Sequence, residues 1–264
     1  MSLDVYPATA PLDFYLEVAK GKVPGHTHVN KFGRNIEIDS GVTADIWDGG
    51  NTGDVSLIWV APTVARQHVI ASTNAGDTVG GAGALTVKVS GLVDWSTAEV
   101  SETVIMNTAT PPTTANSYVI IHRMQVLTSG ATSRNLGVIS ATAVTDGTVT
   151  AHIHIGEGQT QMVVYGIPST QVLYVGRLYG NLLKGNIAGG CSCALLYNPE
   201  PQTQLTNFNT KHTFGISSTG TSALTINYSV PKKFSGPGIL KLQATSTAND
   251  MDVSGGFDAV LIDN

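Results

Sequence analysis

Charged residues are scarce in this sequence, because Asp, Glu, Lys and Arg together make up only 12% of the 264 residues. This composition disfavours a self-standing helical bundle, whose solvent-facing surfaces need Lys and Glu. The formal net charge of −5 argues against nucleic-acid binding, since phosphate contacts require a basic surface. No apolar run approaches the roughly 18 residues of a membrane-spanning helix. We therefore expect neither a nucleic acid nor a membrane among the partners.

Cysteine is almost absent, with Cys191 and Cys193 as the two examples. Two positions apart on a strand, their side chains point to the same face and are poorly placed for a mutual disulfide. We expect two small, buried, unpaired residues. The N-terminal sequence lacks the basic segment and apolar run of a signal peptide. Both features suit a protein that is assembled in a reducing cytoplasm.

Glycine, threonine and valine are abundant instead, and the 29 glycines exceed the usual share of about 7%. Short alternating segments, separated by turns rich in Gly, Asn and Pro, recur roughly every 8–12 residues. Examples are residues 84–92, 117–129 and 191–198, of which 117–129 is the strongest run in the first half of the chain. This pattern predicts an all-β fold with very little helix. We expect two jelly-roll-like β-sandwich domains, over residues 36–140 and 141–264.

Residues 1–35 lack a sustained period and are predicted to form an extended N-terminal arm. The arm carries an apolar patch between Leu12 and Val18 but has no core of its own, so it gains stability by burying that patch on another surface. The predicted partner-binding residues are Phe14, Tyr15, His26, His28, Lys31, Phe32, Arg34 and Asn35. A chain shortened to begin at Asn30 should then stay folded but lose its association. The alternative is an arm that packs back on its own chain.

One histidine pair is the strongest candidate for a metal site. His152 and His154 point to one face of a predicted strand, and Glu157 follows nearby. The pattern resembles half of a cupin motif, but both spacings are one residue short and the second cupin motif is absent. We therefore expect no metal there. The second pair, His26 and His28, has no carboxylate close by in sequence.

The remaining polar residues form no catalytic set. A calcium site among Asp48, Asp54 and Asp77 is conceivable, although Asp in turns ordinarily has a structural role. No nucleophile, base and orienting group occur together, and the motif G-x-S-x-G is absent. We therefore expect a protein without enzymatic activity or cofactor, with a cupin-like metalloenzyme as the minority alternative.

Three stretches carry a resemblance to a known group of proteins. They are VNKFGRNIEID with IWDGG (29–50), SGLVDWSTAEVSETVIMN (90–107) and the segment from KHTFGISS to the final residues (211–264). Together they resemble uncharacterised structural proteins of tailed bacteriophages. The resemblance implies a virion component, assembled in the host cytoplasm.

The resemblance leaves two roles open. A homo-oligomeric capsid decoration or cement protein would bind the major capsid protein or other virion proteins. The alternative is a tail, neck or fibre component that binds the host surface. A fibre would usually contain a long repetitive shaft, and the sequence contains none, so decoration is favoured.

Overall fold

The computed structural model describes residues 13–48, 57–182 and 188–264. Strands make up 55% of the described residues and helix 3%, which confirms the prediction of an all-β fold with very little helix. The described residues include one helix, α1 (Phe14–Ala19). It begins after Asp13, whose carboxylate accepts hydrogen bonds from the backbone N–H groups of Tyr15 and Leu16. Within these ranges no helix has the length and apolar character needed to cross a membrane.

Fifteen strands follow the helix in the described part of the chain. In order they are β1 (His26–Ile38), β2 (Thr43–Asp45), β3 (His68–Ser72), β4 (Ala84–Leu92), β5 (Val100–Ile105), β6 (Ile120–Ser129), β7 (Ile139–Ala143), β8 (Val149–Ile153), β9 (Val164–Ile167), β10 (Gln171–Leu182), β11 (Gly190–Asn198), β12 (Asn209–Ser217), β13 (Ala223–Ser235), β14 (Gly238–Ser246) and β15 (Met251–Asp263).

Two larger sheets enclose the first hydrophobic core. The first sheet has the order β1-β15-β10-β13, and the second has the order β12-β11-β14-β2, with β9 also paired to β14. The antiparallel pairs are nested: β1 with β15, β2 with β14, β10 with β13 and β11 with β12. Both sheets contribute side chains to one core, including Leu173 and Phe257 from the first and Cys193 and Leu242 from the second. Cys191 and Cys193 are buried and unpaired, as predicted.

Two smaller sheets, β3-β7-β8 and β5-β4-β6, surround the second core. Apart from Ile239, its buried members lie between Trp47 and Val164. The chain therefore leaves the first core after β2, builds the second core and returns at β9. The expected boundary between residues 140 and 141 falls inside β7, which pairs with β3 on one side and β8 on the other. The two cores thus divide the chain near residues 47 and 164, and not between residues 140 and 141.

The predicted arm is wrong for residues 26–35, because they belong to β1, which pairs along its length with β15. Val29 is 7% exposed and part of the first core. A chain beginning at Asn30 would lose Val29 and the first residues of β1, so we now expect it to be destabilised. Leu12 lies outside the described residues.

The inward positions of β1 explain why its sequence does not alternate like a typical strand. Lys31, Gly33 and Asn35 face inward where the two cores meet. Lys31 Nζ donates to the carbonyl oxygen of His122, and Asn35 Nδ2 donates to the carbonyl oxygen of Asp45 at 3.0 Å. A Cβ atom on Gly33 would lie 2.8 Å from the carbonyl oxygen of Ile46, so the backbones approach too closely for a side chain. Desolvation lowers the pKa of Lys31 well below its usual value.

Candidate functional site

A groove of about 590 Å³ lies between α1 and the outer face of the first sheet. This volume falls within the range of about 300–1,000 Å³ that is typical of small-molecule sites. The groove is lined by Asp13, Tyr15, Ala19, His28, Gly176, Arg177, Asn227, Tyr228, Asp258 and Ala259.

A row of polar side chains crosses the first sheet beside the groove, with one residue from each strand. Strand register places Asn30 opposite Asp258, Asp258 opposite Arg177, and Arg177 opposite Asn227. Asn30 Nδ2 donates to Asp258 Oδ1 at 2.6 Å, and Arg177 Nη1 lies 3.5 Å from Asp258 Oδ2. Arg177 Nε donates to Asn227 Oδ1 at 3.2 Å. Each side chain in the row is therefore oriented by its neighbour on the next strand.

A β-bulge opens the floor of the groove. Val175 pairs with Lys232 and Arg177 with Asn227, so Gly176 alone lies opposite residues 228–231. The nearest contact of a Cβ atom on Gly176 would be the Tyr15 hydroxyl oxygen, 3.7 Å away. The missing side chain of Gly176 therefore leaves space on the sheet beneath Tyr15.

The wall of the groove is α1, in which Val18 is the buried residue, at 3% exposure. Phe14, Tyr15 and Leu16 are instead 47%, 55% and 49% exposed. The Phe14 ring makes edge-to-face contacts with Tyr15 at 5.6 Å and with His26 at 5.8 Å between centroids. Three of the predicted partner-binding residues therefore form one surface, and a fourth, His28, lines the adjacent groove.

The other four predicted partner-binding residues lie elsewhere. Lys31 and Asn35 are 3% and 1% exposed and point inward, so the prediction that they contact a partner is wrong. Their burial follows from the position of β1 between the two cores. The Phe32 ring lies 5.9 Å from the guanidinium carbon of Arg123. Arg34 also contacts residues from outside the first sheet.

Arg34 forms ion pairs with Glu157 and Asp48, two carboxylates that the sequence suggests as metal ligands. Its Nη2 atom lies 2.7 Å from Glu157 Oε1, and its Nε atom lies 3.4 Å from Asp48 Oδ1. Burial raises the pKa of Asp48 to about 7, against the opposing effect of the Arg34 guanidinium. His152 is buried in β8, and His154 follows that strand. Within the described residues, no group of three or more His, Cys, Asp and Glu side chains could hold a metal ion.

Asp77 has a structural role in its turn, and Asp54, the third calcium candidate, lies outside the described residues. The two carboxylate oxygens of Asp77 accept four hydrogen bonds. Oδ1 accepts from the backbone N–H groups of Ala84 and Leu136, each at 2.8 Å. Oδ2 accepts from Ser72 Oγ at 2.6 Å and from the Gly137 N–H at 2.8 Å. Protein donors therefore take the positions that a cation would otherwise use.

Sequence reasoning missed most of the groove, because its floor depends on register between strands that are far apart in sequence. Asn30 and Asp258, for example, are 228 residues apart. One local signal was present: Gly176 interrupts an otherwise apolar and aromatic strand segment, and such a glycine often marks a bulge or a close approach.

Comparison with known proteins adds little to this geometry. No family model matches the chain. No curated protein matches it either. Among solved structures, a chain from the infectious bursal disease virus Gt strain is 12% identical, covering 96% of this chain and 78% of its own length, with a TM-score of 0.21. A chain from the crystal structure of the T13 viral particle of that virus is 11% identical, covering 90% and 70%, with a TM-score of 0.24. TM-scores of this size do not define a common fold.

Proposed function

We propose that this protein is a non-enzymatic structural component of a tailed-phage virion, acting as a decoration protein on the capsid surface. The order of the strands in the first two sheets carries the proposal. Eight strands, namely β1, β2 and β10 to β15, form four nested antiparallel pairs in two facing sheets. This nesting is the order expected of a jelly roll, in which residues 47–164 form an insertion with its own core. Jelly rolls recur in viral capsid domains, lectins and cupins.

Fold analogy alone does not choose among these functions, so the choice rests on residues. A cupin-like enzyme is disfavoured because His152 lies in β8, a strand beside the second core and outside the proposed jelly roll, and because Glu157 is paired with Arg34. The three phage-like sequence stretches favour a virion role.

The exposed surface of α1 is the proposed contact with the major capsid protein or another virion protein. Phe14, Tyr15 and Leu16 are each about half exposed and follow one another in the chain, so they present a contiguous apolar and aromatic surface. Burying such residues, aromatic ones above all, supplies much of the binding energy at protein interfaces. In this proposal the protein is a homo-oligomer with no nucleic acid or membrane among its partners.

The proposal is tested by co-sedimentation of the purified full-length protein with capsid particles that lack it. The double variant Phe14→Ser, Leu16→Ser should bind at least about tenfold more weakly, because interface anchors commonly contribute more than about 1 kcal/mol each. The matched control is Val79→Ser, Ile105→Ser, which changes two residues that are 65% and 61% exposed elsewhere. Unchanged binding of the α1 variant, or no binding of the unaltered protein, would contradict the proposal.

A further inference from the structure

We propose that the groove between α1 and the first sheet binds a neutral saccharide. The groove borders the proposed capsid contact at Tyr15, but neither Phe14 nor Leu16 lines it.

The hydrogen-bonding groups of the groove are oriented but only partly used. Arg177 engages its neighbours through Nε and Nη1, and its Nη2 atom has no partner among the described residues. Asn227 accepts through Oδ1, which leaves its amide N–H groups without a partner in the same set of residues. These groups are donors that a ligand can use, and they are held in place by the row across the sheet.

Acceptors lie beside these donors. Asp13 Oδ1 accepts two backbone N–H groups, which leaves Oδ2 without a partner among the described residues. Asp258 accepts one short hydrogen bond from Asn30 and faces Arg177 at 3.5 Å, so its oxygens retain lone pairs. A sugar hydroxyl both donates and accepts, and it is recognised best where acceptors and donors alternate.

The charges of the groove favour a neutral ligand. Its lining contains two carboxylates, from Asp13 and Asp258, and one guanidinium, from Arg177. A phosphate or an acidic sugar would be repelled by the two carboxylates. A metal ion would compete with Arg177 for Asp258, and the described residues contain no group of three metal-binding side chains.

Apolar surface completes the site. Tyr15 and Ala19 of α1 line the groove beside the polar row. Tyr228 and Ala259 also line it, although Tyr228 packs partly against the first core and Ala259 is a buried member of that core. Pyranose rings have C–H faces that pack well against aromatic and small apolar side chains. Gly176 leaves the floor open beneath the Tyr15 hydroxyl group. The combination of polar row, aromatic wall and open floor matches a molecule with both hydroxyl groups and an apolar face.

The test uses the full-length protein and isothermal titration with defined sugars. Maltose, lactose, mannobiose and diacetylchitobiose are the neutral probes, and sialyllactose and a heparin disaccharide are the acidic probes. Gly176→Leu should fill the groove, because its Cβ atom faces the Tyr15 hydroxyl at an ordinary contact distance of 3.7 Å. The matched control is Gly215→Leu in β12, where a Cβ atom would meet nothing within 4 Å.

We expect at least one neutral probe to bind with a Kd of about 1 mM or lower. Gly176→Leu should weaken that binding at least about tenfold, and Gly215→Leu should not change it. Asp258→Asn provides a second, nearly isosteric variant that removes one carboxylate and should also weaken binding if Gly176→Leu fails to fold. Binding of acidic probes only, no neutral binding at that limit, or equal binding by all variants would overturn the proposal. Retained co-sedimentation of Gly176→Leu with capsid particles would separate this outcome from the capsid proposal.

Discussion

Replacement of Asp77 by Asn should strongly destabilise the protein, although the two side chains have nearly the same shape. Asp77 uses both carboxylate oxygens, each of which accepts two hydrogen bonds. An Asn side chain must turn its NH₂ group toward one pair of donors. If the NH₂ group faces Ser72 and Gly137, the serine hydroxyl can rotate to accept a hydrogen bond from it. The Gly137 N–H group then loses its acceptor. Hydrogen bonds to a charged group contribute about 1.5–3 kcal/mol, and a stranded buried donor costs about 1–3 kcal/mol.

We therefore expect Asp77→Asn to lower the free energy of unfolding by about 3 kcal/mol, measured by urea denaturation with tryptophan fluorescence. Asp94→Asn is the matched control, because Asp94 accepts from Ser96 and Thr97 through Oδ1 alone, and an Asn side chain can keep those bonds. Its loss should stay below about 1 kcal/mol. Equal effects of the two substitutions would refute the argument that the use of both oxygens decides the cost.

Two further predictions concern buried ionisable groups. Burial lowers the pKa of His68 to about 4, while the unfolded side chain titrates near 6.5. Stability that is present above about pH 6.5 should therefore fall by about 2–3 kcal/mol as the pH drops to about 4.5. Urea denaturation at both pH values should show that His68→Phe removes this part of the loss. Lys241 Nζ lies 2.7 Å from Asp45 Oδ2 in the core, so Lys241→Met should cost about 3–5 kcal/mol. Adding Asp45→Asn should recover part of this loss in the same assay; no recovery would show that an uncompensated charge is not the cause.

Strands with regular alternation could be predicted from the sequence, and those at the junction of the two cores could not. The segment predicted over residues 84–92 coincides with β4, and the segment over 191–198 with β11 less its first residue. In both strands, apolar residues recur at inward positions. β1 was missed because its inward positions include Lys31 and Asn35, whose hydrogen bonds to distant backbone groups replace apolar packing.

The candidate site likewise has one part that could be predicted from the sequence and one part that could not. The exposure of Phe14 and Tyr15 could be predicted, because aromatic residues without a regular pattern are visible in a local stretch of sequence. The floor of the groove could not, because it consists of residues that are joined only by the register of four strands. Asp258 and Arg177 have no feature in their own segments that distinguishes them from other charged residues on a strand. Pairing across the sheet is what gives each of them a defined orientation.

The place of β15 between β1 and β10 has a consequence for how the protein is made. The hydrogen bond between Asn30 and Asp258 cannot form until Asp258 is synthesised, 228 residues after Asn30. At about 5–20 residues per second, this is a delay of roughly 10–45 s. Most of the second core comes from residues up to 164, since Ile239 is its one later buried member among the described residues and only Leu205 and Phe208 pack against it from later partly buried positions. Most of this core can therefore assemble on the ribosome during that interval. Translation that stalls before β15 would leave β1 and β10 with unpaired edges, which are prone to aggregation. Most of the second core can thus form before the first sheet is complete. That sheet lacks the strand between β1 and β10 until β15 has been synthesised.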